Sequence, residues 1–240
     1  MHSTPEHVSA PSIAAGLEPC EFGLSHYRAI LEKAIALGYR PLGFRDVLAN
    51  ESGWTLLLRH DVDVSLDDAL AMAELEAEVG ARATYFIRVH ARGYNPFSRS
   101  SYRALRRMLA LGFEIGLHHE VGVFPDDSRS AKEFLLAEKV VLESVTGRPV
   151  AGVATHLPKW VTSTLDRDTL ADCGFAYEAG DERFRAGAKF LSDSNRNLRF
   201  GCPCQFVGQV TKIYLAVHPY WWVNADAEPS QVIASLRAGD

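Results

Sequence analysis

Four apolar stretches of the chain run directly into imidazole or carboxylate side chains. Leu56-Leu57-Leu58 leads into Arg59-His60-Asp61-Val62-Asp63, and Phe113 to Leu117 leads into His118-His119-Glu120. Val150 to Ala154 leads into Thr155-His156, and Ile213 to Val217 into His218. Imidazole and carboxylate suit zinc first, and also cobalt, manganese, nickel or iron. Three protein ligands leave a coordination position open, where a divalent ion polarises a carbonyl and lowers the pKa of water. Asp61 and Asp63 lie two apart, so in extended backbone both side chains leave the same face. One carboxylate can hold the metal while the other takes a proton from water, and a separate histidine can protonate a leaving group. These residue types describe metal-assisted hydrolysis at a single divalent ion.

Each residue also has a structural reading. A lone histidine at a strand end is commonly a hydrogen-bonded structural residue, and either aspartate alone would suit a helix N-terminus. Ser65, with Asp68 three residues on, already reads as the cap of the helix that follows. His60 and His119 alternate away from Asp61 and His118, and are expected to face elsewhere. Recurrence at four strand ends makes the case for a site, because the C-terminal strand ends of parallel α/β folds form one face where sites are built. The four cysteines, Cys20, Cys173, Cys202 and Cys204, are irregularly spaced. Cys202-Pro-Cys204 has no second pair, so all four read as reduced thiols in a reducing compartment.

The elements that must position these residues alternate. Helical spacing predicts helices over Leu24 to Leu37, from Ser65 to Gly80, over Arg99 to Leu111, Ser130 to Val145, Thr162 to Asp172, and Pro229 to Ala238. Strands are predicted at Thr55 to Leu58, Ala83 to Val89, Phe113 to Leu117, Val150 to Thr155 and Ile213 to Val217, with short ones near Phe175 to Tyr177 and Lys189 to Leu191. This alternation predicts an α/β fold with a parallel sheet covered by helices. Residues 1 to 20 read as a flexible arm, and 21 to 240 as one domain.

Composition excludes several classes. A formal net charge of -5 with 25 scattered Lys and Arg gives no footprint for nucleic acid or an anionic membrane. Arg103, Arg106 and Arg107 read as a solvated helix face. No apolar run approaches the roughly 18 to 20 residues that span a bilayer. The first fifteen residues lack the pattern of a signal peptide, so a cytoplasmic protein is expected.

At these strand-end residues the chain resembles the polysaccharide deacetylase superfamily, the NodB-homology or carbohydrate esterase family 4 group. The likeness is to a divergent branch whose first motif reads Arg-His-Asp-Val-Asp, here Arg59 to Asp63. Gly112-Phe113-Glu114-Ile115-Gly116-Leu117-His118 and Leu215-Ala216-Val217-His218-Pro219 match later motifs, and Ala81 to Phe86 resembles the second strand. The resemblance covers roughly residues 54 to 222. It implies a distorted (β/α) barrel of about seven strands and metal-dependent removal of acyl groups, usually acetyl from an amino-sugar nitrogen. Carried over by position, Asp61 matches the catalytic base, His218 the catalytic acid and His118 a metal ligand. Val62 fills the place of the usual metal-binding aspartate, which makes Asp63 the substitute.

Two departures stand out. The family's second metal histidine falls at Gly122, so a third ligand must come from His156, or else from Glu120 or His119; His156 is favoured because its strand should end on the same face. Leu157 precedes Pro158 where the family carries an arginine, so that orienting role is unassigned. Asp193 is a candidate to orient His218 or a substrate group, and Trp221 and Trp222 are candidates to stack on a sugar or line an acyl pocket. The expected function is an N-deacetylase acting on a small or activated amino-sugar substrate. The alternatives are hydrolysis of another amide, an ester or a cyclic imide, and a catalytically silent barrel that serves as a binding module.

Overall fold

The computed structural model describes residues 20–50, 52–120, 130–156 and 166–232. The expected arm before Cys20, Gly122, the Leu157-Pro158 pair and the C-terminal part of the last expected helix lie outside these residues. In chain order the elements are α1 (Leu24–Ala36), β1 (Arg40–Leu42), α2 (Phe44–Ala49), β2 (Thr55–Val62), α3 (Leu66–Glu78), β3 (Thr84–Ile87), α4 (Arg99–Ala110) and β4 (Glu114–Glu120). They continue with α5 (Ala131–Thr146), β5 (Gly152–His156), α6 (Arg167–Asp172), β6 (Tyr177–Glu178), α7 (Glu182–Arg185), β7 (Lys189–Ser192), α8 (Pro203–Phe206), β8 (Lys212–Val217) and α9 (Pro219–Val223).

Seven strands form one curled path, β6-β5-β4-β3-β2-β8-β7, and β1 adds beside β2. Every pairing is parallel. The result is a half-barrel, the distorted (β/α) barrel that the family resemblance implies. Because all strands point one way, their C-terminal ends share one rim.

Period-2 alternation decides which side chains reach the inside of that rim. Along β2, Leu56, Leu58 and Val62 pack outward against the helices, while Leu57 faces inward with Phe86, Ala154, Tyr214 and Ala216. Arg59 and Asp61 continue the inward row of Leu57. His118 continues that of Gly116, His156 that of Ala154, and His218 that of Tyr214 and Ala216. Phe44 of α2 closes the bottom of the barrel, stacked on Tyr177 at 5.2 Å between centroids and edge-on to Phe86, Phe184 and Tyr214. Gly116 is required by close approach: a Cβ there would lie 2.5 Å from the Phe86 ring.

Several helices begin at side-chain caps: Ser65, Ser98, Ser130 and Asp166 each accept a backbone N–H at the start of α3, α4, α5 and α6. Ser65 accepts the Asp68 amide at 3.1 Å, Ser130 and Glu133 form a reciprocal capping box, and Gly147 closes α5 at φ 64°. Such a cap contributes about 1 kcal/mol. His60 points outward as expected, where Glu76, fully buried, receives its Nε2 at 2.7 Å and the hydroxyls of Tyr27 and Tyr85 at 2.6 Å each.

Two differences have physical causes. β2, β4 and β5 run past the apolar stretches, because backbone pairing such as His119 with Thr155 and Glu120 with His156 does not depend on side-chain polarity. The polar residues therefore lie within or just beyond extended strands. The short elements β1, α2, α7, α8 and α9 span too few residues to display a period in sequence. Among the described residues no helix is long and apolar enough to cross a membrane.

Candidate active site

Asp61 sits on the inner face of β2 and is 7 % exposed. Arg59, two residues earlier on the same face, grips it with Nε to Oδ1 at 2.7 Å and Nη2 to Oδ2 at 2.9 Å. The guanidinium lies over the Phe86 ring at 5.7 Å and reaches the Tyr214 hydroxyl at 3.4 Å. Burial alone would raise the Asp61 carboxyl. The Arg59 charge, helped by His118 and His218, outweighs it and holds Asp61 well below the usual carboxylate range. The orienting arginine left unassigned by the sequence has a candidate in Arg59. Its signal was the same two-residue spacing that joined Asp61 to Asp63.

Asp63 follows β2 and leans toward β4 and β5. Its Oδ1 lies 3.4 Å from His118 Nε2 and 3.6 Å from His156 Nδ1, and these donors fall within 4.8 Å of one another. His118 is 1 % exposed, and its Nδ1 meets the Ala154 carbonyl at 3.0 Å. With the proton on Nδ1, Nε2 turns its lone pair to the centre. The two imidazole nitrogens face each other at 3.2 Å. Burial pushes His118 down to about 4, only partly offset by Asp61 and Asp63, so it is neutral near pH 7.

His218, just past β8, approaches from the opposite side, with Nε2 3.7 Å from Asp63 Oδ2. Its Nδ1 donates to Asp193 Oδ1 at 2.6 Å, and its backbone N–H reaches the same carboxylate at 3.0 Å and 3.1 Å. Trp222 donates its indole N–H to Asp193 Oδ2 at 2.8 Å. Burial would lower the His218 pKa, but the charge and hydrogen bond of Asp193, with Asp63 and Asp61 behind them, raise it to about 9.

The remaining sequence candidates fall in different places. Trp222 is 1 % exposed and packed among Phe22, Tyr27 and His26, so its ring faces are occupied by protein. Trp221 instead borders a cleft shared with Asp61, Asp63, Ser65, His218 and Tyr220. His119 turns outward onto Glu138 of α5, and Glu120 is paired with Arg88. Asp61, Asp63, His118, His156, Asp193 and His218 are brought together, while His119 turns away and Glu120 is engaged with Arg88.

A divalent cation fits the first of these groups. Asp63 Oδ1 is buried and has no hydrogen-bond partner among the described residues, although two imidazole nitrogens lie 3.4 Å and 3.6 Å from it. A buried carboxylate oxygen left this way is costly unless a cation completes it. The oxygen–nitrogen–nitrogen set leaves an open position, as catalytic sites do.

Fold and site together define a parallel (β/α) half-barrel with a carboxylate–imidazole centre at its C-terminal rim. Solved structures share that fold. A Streptococcus pyogenes deacetylase, PplD, in complex with acetate is 14% identical, with 96% of this chain and 93% of that one covered at a TM-score of 0.50. A mutant of a CE4 family pseudoenzyme from Bacillus anthracis is also 14% identical, covering 79% of this chain at 0.51. This chain spans 64% of that mutant's length and 60% of the wild-type pseudoenzyme's. Neither a family model nor a curated sequence matches the chain.

Proposed function

We propose that the protein is a metal-dependent N-deacetylase that removes an acyl group from a small or activated amino-sugar substrate in the cytoplasm. The observation that carries the reading is the orphaned Asp63 Oδ1 between His118 and His156, faced by a histidine already clamped to a carboxylate. A cleft lined by Asp61, Asp63, His218 and Trp221 opens at the centre, with Trp221 at its border to meet the rest of the substrate.

Asp63, His118 and His156 would hold the ion, zinc before cobalt, manganese, nickel or iron. A divalent cation there would supply carbonyl polarisation and acidification of water. Asp61, its oxygens fixed by Arg59, takes the proton of the attacking water. His218 starts protonated, because Asp193 holds it so, and gives Nε2–H to the departing amine. Asp193 keeps the ring turned and its charge balanced, and Trp222 keeps Asp193 in place.

The test is acetate release from a panel of N-acetylated sugars and nucleotide sugars. Release is expected from at least one, abolished by a chelator and restored by zinc or cobalt. Turnover only of a non-sugar amide, ester or cyclic imide would move the substrate class. A protein that loses no metal equivalent on His118→Ala and releases no acyl group would be a silent barrel.

A further inference from the structure

A second cluster of metal-ligating side chains lies away from the barrel rim. Cys20, just ahead of α1, and His26, in the first turn of α1, meet Cys202 and Cys204 at the start of α8. Cys202 Sγ lies 3.1 Å from Cys204 Sγ, Cys20 Sγ 3.3 Å from Cys204 Sγ, and His26 Nε2 3.2 Å from Cys202 Sγ. All four donor atoms fall within 4.8 Å of one another. His26, Cys202 and Cys204 are buried and Cys20 is exposed.

From this convergence we infer that Cys20, His26, Cys202 and Cys204 bind a structural zinc ion. Three thiols and one imidazole, with no carboxylate among them, are a structural zinc set with no open position. Zn–S bonds of about 2.3 Å around a tetrahedron space sulfurs about 3.8 Å apart. The two close sulfur pairs, at 3.1 Å and 3.3 Å, need to open by about half to three-quarters of an ångström to reach that spacing. Cys204 is about equally near Cys20 and Cys202, so the geometry singles out no disulfide pair. Three thiolates and a neutral imidazole leave one net negative charge around Zn²⁺. Lys33 brings its ammonium to the Cys204 carbonyl at 3.1 Å, where it faces that charge.

The ion would staple α1 to the segment between β7 and β8, joining residues 184 positions apart. His26 lies parallel to the Trp222 ring, with interplanar angle 4° and centroids 6.3 Å apart, and Trp222 in turn holds Asp193. The staple therefore braces the mount of His218 without touching the rim centre.

Cobalt loading and metal counting test this on the whole protein. The cobalt-loaded protein should show a thiolate-to-cobalt charge-transfer band in the near ultraviolet. The band should weaken or shift in Cys20→Ser, a change at an exposed residue, and vanish in Cys204→Ala. It should persist in Asp63→Asn/His118→Ala, which removes the rim centre, with one zinc equivalent per chain still bound and released by a mercurial. This separates the two sites: loss of the rim metal alone would count against the proposed activity and leave the staple standing. Absence of the band in wild-type protein, thiols equally reactive with and without zinc, or a mass lower by the two hydrogens of a disulfide in freshly purified protein would overturn the inference.

Discussion

Arg59 reaches two residues along its own strand and meets Asp61 with two near-parallel contacts, Nε to Oδ1 at 2.7 Å and Nη2 to Oδ2 at 2.9 Å. The fork is possible because residues i and i+2 of an extended strand share a face and because a guanidinium matches a carboxylate edge to edge. Phe86 supports the guanidinium from below, and the absent Cβ of Gly116 leaves room for Phe86. Lysine cannot reproduce this grip. Arg59→Lys should retain the rim metal yet lose tenfold or more in turnover. Arg59→Ala strands a largely buried carboxylate and should cost about 3 kcal/mol or more in stability. Metal analysis, acetate release and thermal unfolding of the two variants check this; unchanged turnover in Arg59→Lys would remove Arg59 from the site.

The two aspartates separate by what surrounds them. Asp61 is satisfied by Arg59, whereas Asp63 presents an unpartnered oxygen to His118 and His156. Asp61→Asn should keep the metal and lose about a hundredfold or more in turnover, the scale of a lost general base. Asp63→Asn should lose the metal first. Metal counting beside single-turnover acetate release distinguishes them. An Asp61→Asn protein without metal but with turnover largely intact would reverse the two roles.

Much of this was legible in the sequence. The parallel (β/α) order followed from alternating periods, and the inward set of Asp61, His118, His156 and His218 followed from apolar runs that end in polar residues. What escaped was long-range or short-period. Arg59 was visible but needed its partner geometry to be read as a clamp. The Trp222 indole stands where two aromatic faces suggested a sugar platform, yet only the fold shows Phe22, Tyr27 and His26 covering it. Cys202-Pro-Cys204 had no second pair because Cys20 and His26 approach it from the opposite end of the chain, and sequence spacing carries no record of that.

The third rim ligand makes a sharp contrast. His156 Nδ1 lies 3.6 Å from Asp63 Oδ1, while His119 is turned onto Glu138 behind the sheet. His156→Ala should lower rim-metal affinity by at least tenfold with little change in stability. His119→Ala should do the reverse, leaving Glu138 without its His119 contact and lowering Tm while the rim metal stays. Titration with zinc and a thermal melt on both variants decide it; metal loss in His119→Ala at unchanged fold would make His119 the ligand instead.

The pH profile reports on His218. Asp193 holds its pKa at about 9 against the effect of burial, so as a proton donor it is loaded throughout the neutral range. Activity should fall as pH rises through about 9, because the deprotonated ring has nothing to give the leaving amine. The acid limb should lie near or below about 4, since His118 is pushed down to about 4 and Asp61 and Asp63 are also lowered. Linkage gives a stability counterpart. A histidine whose folded pKa exceeds its unfolded value of about 6.5 stabilises fully below that value, and the contribution fades as pH rises through about 9. Asp193→Asn removes the main raising charge, so the alkaline limb of kcat should move to lower pH and the loss of Tm between pH 7 and pH 9 should flatten. An alkaline limb that stays near 9 in Asp193→Asn would assign it to a group other than His218.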